Sequence, residues 1–349
     1  MPTWSGNSDS RKSDVMKDPL RETDGVKVGK RQRILLTKLF PPAVELRAAR
    51  DFDAILNPQD RKYGNTLPAA AAGCDALMVS GGDVLSRSIV DALPKSVRII
   101  ASFSAGFENF DLDALRERGI VVTNAPDHLS EATADITMLL LLAAARRAHE
   151  GQALVREGRW PAIGGPTTLL LGQEICGRRL GILGMGRIGR AVARRAHGFG
   201  LQVHYHNRRR LSAAQEAGAI YCEHADDLLR VSDFFVINAP LNDMTRYFLD
   251  ARRIALLPDG AVVVNAGRGG IVHDPSLIAA LRSGKVFAAG LDVFEGEPQV
   301  NPEYFGLTNV FMLPHLGSAT VATRNAMGFC ALDNLDAYFS GRPVLNPLI

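Results

Sequence analysis

The stretch Leu180–Arg210 reads LGILGMGRIGRAVARRAHGFGLQVHYHNRRR. It opens as a short apolar strand, turns through Gly184, Gly186 and Gly189, runs on as a small-residue helix, and closes in a second strand that ends on Asn207 and three arginines. Glycines at GxGxxG spacing are a weak sign alone, but directly after a strand and at the start of a helix they mark a dinucleotide-binding turn. Gly184 permits the tight turn, Gly186 lets the backbone approach a pyrophosphate, and Gly189 lets the helix pack close to the sheet. The phosphates then meet the free N–H groups of the helix N-terminus.

The end of the second strand carries a specificity mark. An NAD-specific site places Asp or Glu about 20 residues beyond the glycines to hold the ribose 2′-hydroxyl; this chain has Asn207, Arg208, Arg209 and Arg210 there. No carboxylate repels a 2′-phosphate, and a guanidinium grips one. NADP is therefore the expected cofactor, with NAD as the alternative, and the sequence leaves open which arginine holds the phosphate.

Working outward, 349 residues with 46% hydrophobic side chains leave room for two domains with sizeable cores. Forty basic against 37 acidic side chains, a net charge of +3, argue against nucleic acid as the main partner. Cys74, Cys176, Cys222 and Cys330 lie far apart without CxxC spacing, so neither a disulfide framework nor a metal site is expected. The apolar run Ile136–Ala145 is about half of what a bilayer span requires; it is the middle of a long helical segment over Ser130–Arg156, expected to be buried between domains or between subunits. The polar first 32 residues mix both charges and lack an apolar signal core, so a disordered tail and a cytoplasmic protein are expected.

Strand-like runs at Ile34–Phe40, Ala76–Ser80, Val97–Ser102 and Ile120–Asn124 alternate with helical stretches, the pattern of a parallel sheet flanked by helices. The glycine turn opens a second series, with strands near Leu180–Leu183, Val203–His206, Phe234–Asn238, Ala261–Asn265, Ala288–Asp292 and Val310–Pro314, which suits a complete Rossmann domain. A helix over Ser318–Phe339 is placed to return to the first sheet. The expected class is α/β with two doubly wound parallel-sheet domains and the active-site cleft between them.

Ligands of such sheets bind outside the carboxyl ends of strands. Three of those ends carry unusual polar residues. Ala266-Gly267-Arg268-Gly269-Gly270 sets one arginine on a glycine-flanked bend, suited to a two-point grip on a carboxylate. Asp292 leads into Glu295 and Glu297, and Pro314-His315-Leu316-Gly317 fixes one imidazole, a side chain that exchanges protons near neutrality.

Together GMGRIGR, NAGRGGIV, GLDVFEGEP and PHLGSAT, in this order over roughly residues 34 to 345, resemble the D-isomer-specific 2-hydroxyacid dehydrogenases, and the Asn-Arg-Arg ending is most similar to the glyoxylate/hydroxypyruvate reductases. The resemblance implies that Arg268 binds and polarises a 2-keto acid, His315 is the acid/base, and Glu297 hydrogen-bonds that histidine while Glu295 stands by. It implies that backbone N–H groups of the loop at Ala105 and Gly106 hold the substrate carboxylate. For the cofactor it implies contacts from Arg187 and Ile188 to the pyrophosphate, Ala239 and Pro240 beside the adenosine, and Asp292 at the nicotinamide carboxamide. Ala266, Arg268, His315 and Gly317 complete that set, and Thr133 is a secondary candidate. Beyond the tail over 1–32, it further implies a flavodoxin-like substrate-binding domain over 33–126 and 316–349, a dinucleotide domain over 127–315, and a homodimer formed through the latter.

The expected activity is NADPH-dependent reduction of glyoxylate and hydroxypyruvate. A different substrate, such as lactate, phosphoglycerate or a bulkier keto acid, is one alternative. A nucleotide-sensing, corepressor-like binding protein without catalysis is the other, because the same fold serves both.

Overall fold

Twelve strands form two parallel sheets in the computed structural model, which describes residues 31–349; the expected tail over 1–32 lies almost wholly outside them. The first sheet contains β1 (Arg33–Leu36), β2 (Asp53–Ile55), β3 (Ala76–Val79), β4 (Ile99–Ser102) and β5 (Val121–Thr123), in the order β2-β1-β3-β4-β5. That is the flavodoxin-type winding. The second contains β6 (Arg179–Leu183), β7 (Gln202–His206), β8 (Ile220–Tyr221), β9 (Phe234–Ile237), β10 (Ala261–Asn265), β11 (Val286–Leu291) and β12 (Val310–Met312). Its order, β12-β11-β10-β9-β6-β7-β8, is Rossmann winding with one further strand beside β11, and the order reverses between β6 and β9.

Central strands such as β9 (FFVI) and β10 (AVVVN) are buried along their whole length, as strands covered by helices on both faces must be. Two strands escape the sequence reading. β2 and β8 are short, half-exposed edge strands without the apolar run that flags a buried one.

The apolar stretch after β5 is two helices, Ser130–Ala145 and Ala148–Arg156, broken where Arg147 takes a left-handed φ of 52°. The first is packed against the second sheet. Its apolar side chains join a core with Ile182, Val203, Phe234 and Val264. Glu131 and Asp135 on it pair with Arg194 and Arg195 of the helix Arg187–Gly198 at 2.7 to 2.8 Å. Close approach depends on Gly290, where a Cβ would stand 2.7 Å from the Leu140 carbonyl oxygen. Gly290→Ala is expected to cost about 1–3 kcal/mol by overpacking, read as a lowered urea midpoint at unchanged m-value; an unaltered midpoint would mean that helix and strand have slack.

The C-terminal helix Val321–Phe339 returns to the first sheet. Met327, Cys330, Ala331, Leu332 and Leu335 share a core with Ile34, Leu36, Met78 and Ile99. The chain therefore crosses between the sheets twice, and the loop after β4 comes to face the bend after β10.

Candidate active site

The three fingerprint glycines act at different places. Gly184 has φ of 93°, and a Cβ on it would lie 2.6 Å from the Ala239 amide, so the ends of β6 and β9 meet where the strand order reverses. A Cβ on Gly189 would collide with the Gly184 carbonyl, which ties the helix start to the strand. Gly186 faces open space, as a residue that admits a pyrophosphate must.

Asn207 holds this turn from the end of β7. Its Oδ1 accepts a hydrogen bond from the Met185 amide at 2.7 Å, and its Nδ2 donates to the Met185 carbonyl at 3.4 Å. Of the three arginines, Arg210 is engaged. It pairs with Glu216 at 2.8 Å, the carboxylate that also accepts the buried Tyr205 hydroxyl at 2.7 Å, and it lies over the Tyr221 ring. Hydrogen bonding from Arg210 and Tyr205 holds the Glu216 carboxyl below its ordinary range. Arg208 and Arg209 are exposed and make no ion pair or side-chain hydrogen bond among the described residues.

Across the reversal point, Asn238 ends β9 with a side-chain amide whose Oδ1 and Nδ2 are buried and unpartnered among the described residues. Unsatisfied buried amides are costly. Beside the open face of Gly186 and the buried Ala239 and Ala266, this amide suits a polar, elongated nucleotide. Pro240 is exposed next to it, and Ile188 packs partly into the core while Arg187 pairs with Asp127 at 2.9 Å.

The second half of the site is a chain of supports ending on an imidazole. His315 takes φ of 55°, a conformation costly for a non-glycine residue. It is held there by its own amide, which donates to the Asp292 carbonyl at 2.9 Å, and by the amides of Leu316 and Gly317, which donate to the two Asp292 carboxylate oxygens at 2.7 and 2.8 Å. Burial, the larger influence, raises the Asp292 carboxyl although those amides pull it down. Asp292 thus positions the histidine loop. A Cβ on Gly317 would stand 3.3 Å from the Thr133 methyl, so Thr133 lines this loop from the helix side.

His315 Nδ1 lies 2.5 Å from Glu297 Oε1, and Glu297 Oε2 accepts from the Phe294 amide at 3.1 Å. Burial would raise the Glu297 carboxyl, but the hydrogen bond and charge of His315, the Phe294 amide and the charge of Arg268 outweigh it and hold Glu297 below its ordinary value. Arg268 reaches the same place because Gly269 has no side chain: a Cβ there would collide with the Phe294 carbonyl. Arg268 Nη1 donates to its neighbour's carbonyl, Gly267, at 2.8 Å, and the buried Asn265 ties the bend together at 3.0 and 3.1 Å. Glu295 is turned away onto the Tyr247 hydroxyl.

The loop after β4 forms the facing wall. Asn124 Nδ2 donates to the Ala105 carbonyl at 2.8 Å, and Ser104 Oγ accepts from the Gly81 amide at 2.7 Å. A Cβ on Gly106 would collide with the Arg268 guanidinium. The structure therefore brings Gly106 of this loop against Arg268, and Arg268 beside Glu297 and His315.

Comparison with known proteins identifies the family. The pattern of the D-isomer specific 2-hydroxyacid dehydrogenase, NAD binding domain, matches residues 138–317. The chain is 40% identical to the glycerate dehydrogenase of Hyphomicrobium methylovorum over 89% of its own length and 97% of the relative's. The chain belongs to the D-isomer-specific 2-hydroxyacid dehydrogenase family. The glyoxylate reductase of Thermococcus kodakarensis is 38% identical, covering 89% of this chain and 94% of that one. Among solved structures, the NADPH-dependent glyoxylate/hydroxypyruvate reductase of Sinorhizobium meliloti, in complex with NADP and malonate, superposes with a TM-score of 0.81 at 35% identity, covering 91% of this chain and 97% of that chain.

In this 2-hydroxyacid dehydrogenase several site residues carried no readable sequence signal. Asn238 precedes two cofactor candidates but looks like any strand end. Arg324 joins two loops, with Nε donating to the Ser318 carbonyl at 3.3 Å and the guanidinium over the Phe103 ring. Arg324 brings together residues far apart in sequence, and Asn238 is marked only by the burial of its unpartnered amide, so only the folded chain reveals them.

Proposed function

We propose that this dehydrogenase reduces small 2-keto acids, glyoxylate and hydroxypyruvate first, with NADPH as the preferred cofactor and His315 as the acid/base. The observation that carries the reading is the His315 Nδ1 to Glu297 contact at 2.5 Å beside the charge of Arg268. With Nδ1 taken by a carboxylate, Nε2 is the ring nitrogen left to hold and release a proton, and Glu297 stabilises the imidazolium. Arg268 and the amides at Ala105 and Gly106 bind the keto acid and meet the negative charge that grows on its carbonyl oxygen. The bound nicotinamide supplies the hydride. In the reverse direction the neutral imidazole takes the proton from the hydroxyl.

Gly184, Gly186, Arg187, Ile188 and Gly189 form the pyrophosphate side of the cofactor site, and Asn238, Ala239, Pro240, Ala266, Asp292 and Gly317 the rest of its border. In this reading residues 33–126 and 316–349 bind substrate and residues 127–315 bind the dinucleotide. Exposed Leu139, Val155, Trp160, Ile163 and Leu171 offer the apolar area that a second copy would cover in a homodimer. The names of the relatives support the substrate class, and the Sinorhizobium reductase supports the cofactor.

The preference for NADPH rests on Arg208 and Arg209, because Arg210 already serves Glu216. Arg208→Ala combined with Arg209→Ala is expected to raise the KM for NADPH by about ten- to hundredfold, the worth of charge-assisted hydrogen bonds, while NADH is nearly unaffected. Equal losses for both cofactors would remove the phosphate role. Reduction rates with glyoxylate, hydroxypyruvate, pyruvate and phenylpyruvate test the substrate class: activity confined to phenylpyruvate would overturn it.

A further inference from the structure

Glu108 lies on the loop after β4, two residues beyond Gly106, and reaches across the cleft to Arg268. Its Oε1 is 3.3 Å from Nε and its Oε2 is 3.5 Å from Nη2. A carboxylate thus faces the edge of the guanidinium suited to two-point recognition of carboxylates. The same Oε2 lies 2.7 Å from where a Cβ on Gly106 would stand. Glu108 therefore occupies the space between Gly106 and Arg268, the two groups assigned above to the carboxylate of the substrate. Both side chains of the pair are 34% exposed and the contacts are long, so the hold is weak enough for another anion to replace it.

We infer that Glu108 sets the charge of the accepted substrate: it competes for Arg268, yields to a monoanionic 2-keto acid, and stays beside the ligand, where it repels a second carboxylate or phosphate. The inference rests on the proposed roles of Arg268 and Gly106. Like charges a few ångströms apart at a partly exposed site repel enough to shift relative affinity severalfold.

Glu108→Gln removes the charge and keeps the size. Its steady-state constants with glyoxylate and with oxaloacetate, a keto acid with two carboxylates, test the idea, together with oxalate binding measured by calorimetry on the protein with NADP bound. The KM for glyoxylate is expected to fall about two- to fivefold, and kcat/KM for oxaloacetate to rise about fivefold more than that for glyoxylate, with oxalate binding more tightly. A fall in kcat with a rise in KM would mean that Glu108 holds Arg268 in its working position, and would overturn the inference. An active wild type whose glyoxylate preference is unchanged by Glu108→Gln would overturn it alone; a wild type inert toward both acids would remove the assigned site and the inference with it.

Discussion

Replacing His315 is expected to lower kcat for glyoxylate reduction by about 10²- to 10⁴-fold, the range of a lost general acid, while NADPH binds as before. The choice of replacement matters. His315 sits at φ of 55°, so alanine adds backbone strain to the chemical loss, whereas asparagine tolerates that region. His315→Asn therefore isolates the proton. The Asp292 carbonyl and carboxylate grip only the backbone of residues 315 to 317, so the loop has no reason to move. Unaltered cofactor binding, read by quenching of tryptophan fluorescence, separates lost chemistry from lost structure. A variant that keeps more than about a tenth of its rate, less than one decade of loss where general acid–base catalysis supplies at least two, would take the histidine out of the mechanism.

Arg268→Ala is the second large effect. Arg268 is fixed by the Gly267 carbonyl and stands close enough to Glu297 to lower its carboxyl, so it is preorganised for charge that develops on the substrate. Removal of one such donor costs about 10²- to 10³-fold in rate, and loss of the carboxylate grip raises KM in addition. Arg268→Lys recovers little of either, because an ammonium offers neither the planar fork nor its reach. The measurement is the separate determination of kcat and KM with glyoxylate. A loss confined to KM would make Arg268 a binding residue alone.

The fold was legible where a local pattern carries it. Leu180–Arg210 announced strand, turn and helix because three glycines do three jobs within six residues, and the apolar runs of β9 and β10 announced buried strands. β2 and β8 were not legible, because a two- or three-residue edge strand is defined by its neighbour rather than by its own side chains. The break at Arg147 was hidden inside a continuous helical pattern.

The candidate site followed the same division. Arg268, Glu297 and His315 stand at strand ends where polar residues invite attention, and the folded chain brings them together. Arg210 could not be told from Arg208 and Arg209 by sequence, since its engagement depends on Glu216 and Tyr205 meeting beneath it. Glu108 is 160 residues from Arg268, and nothing local marks it.

In the proposed function His315 and Arg268 reduce a small keto acid with a nicotinamide held by the dinucleotide turn. The most direct test follows NADPH consumption by the wild-type protein with hydroxypyruvate and resolves the product on a chiral column. Stoichiometric formation of D-glycerate is expected; formation of L-glycerate, or no NADPH consumption with hydroxypyruvate, would rule the proposed function out.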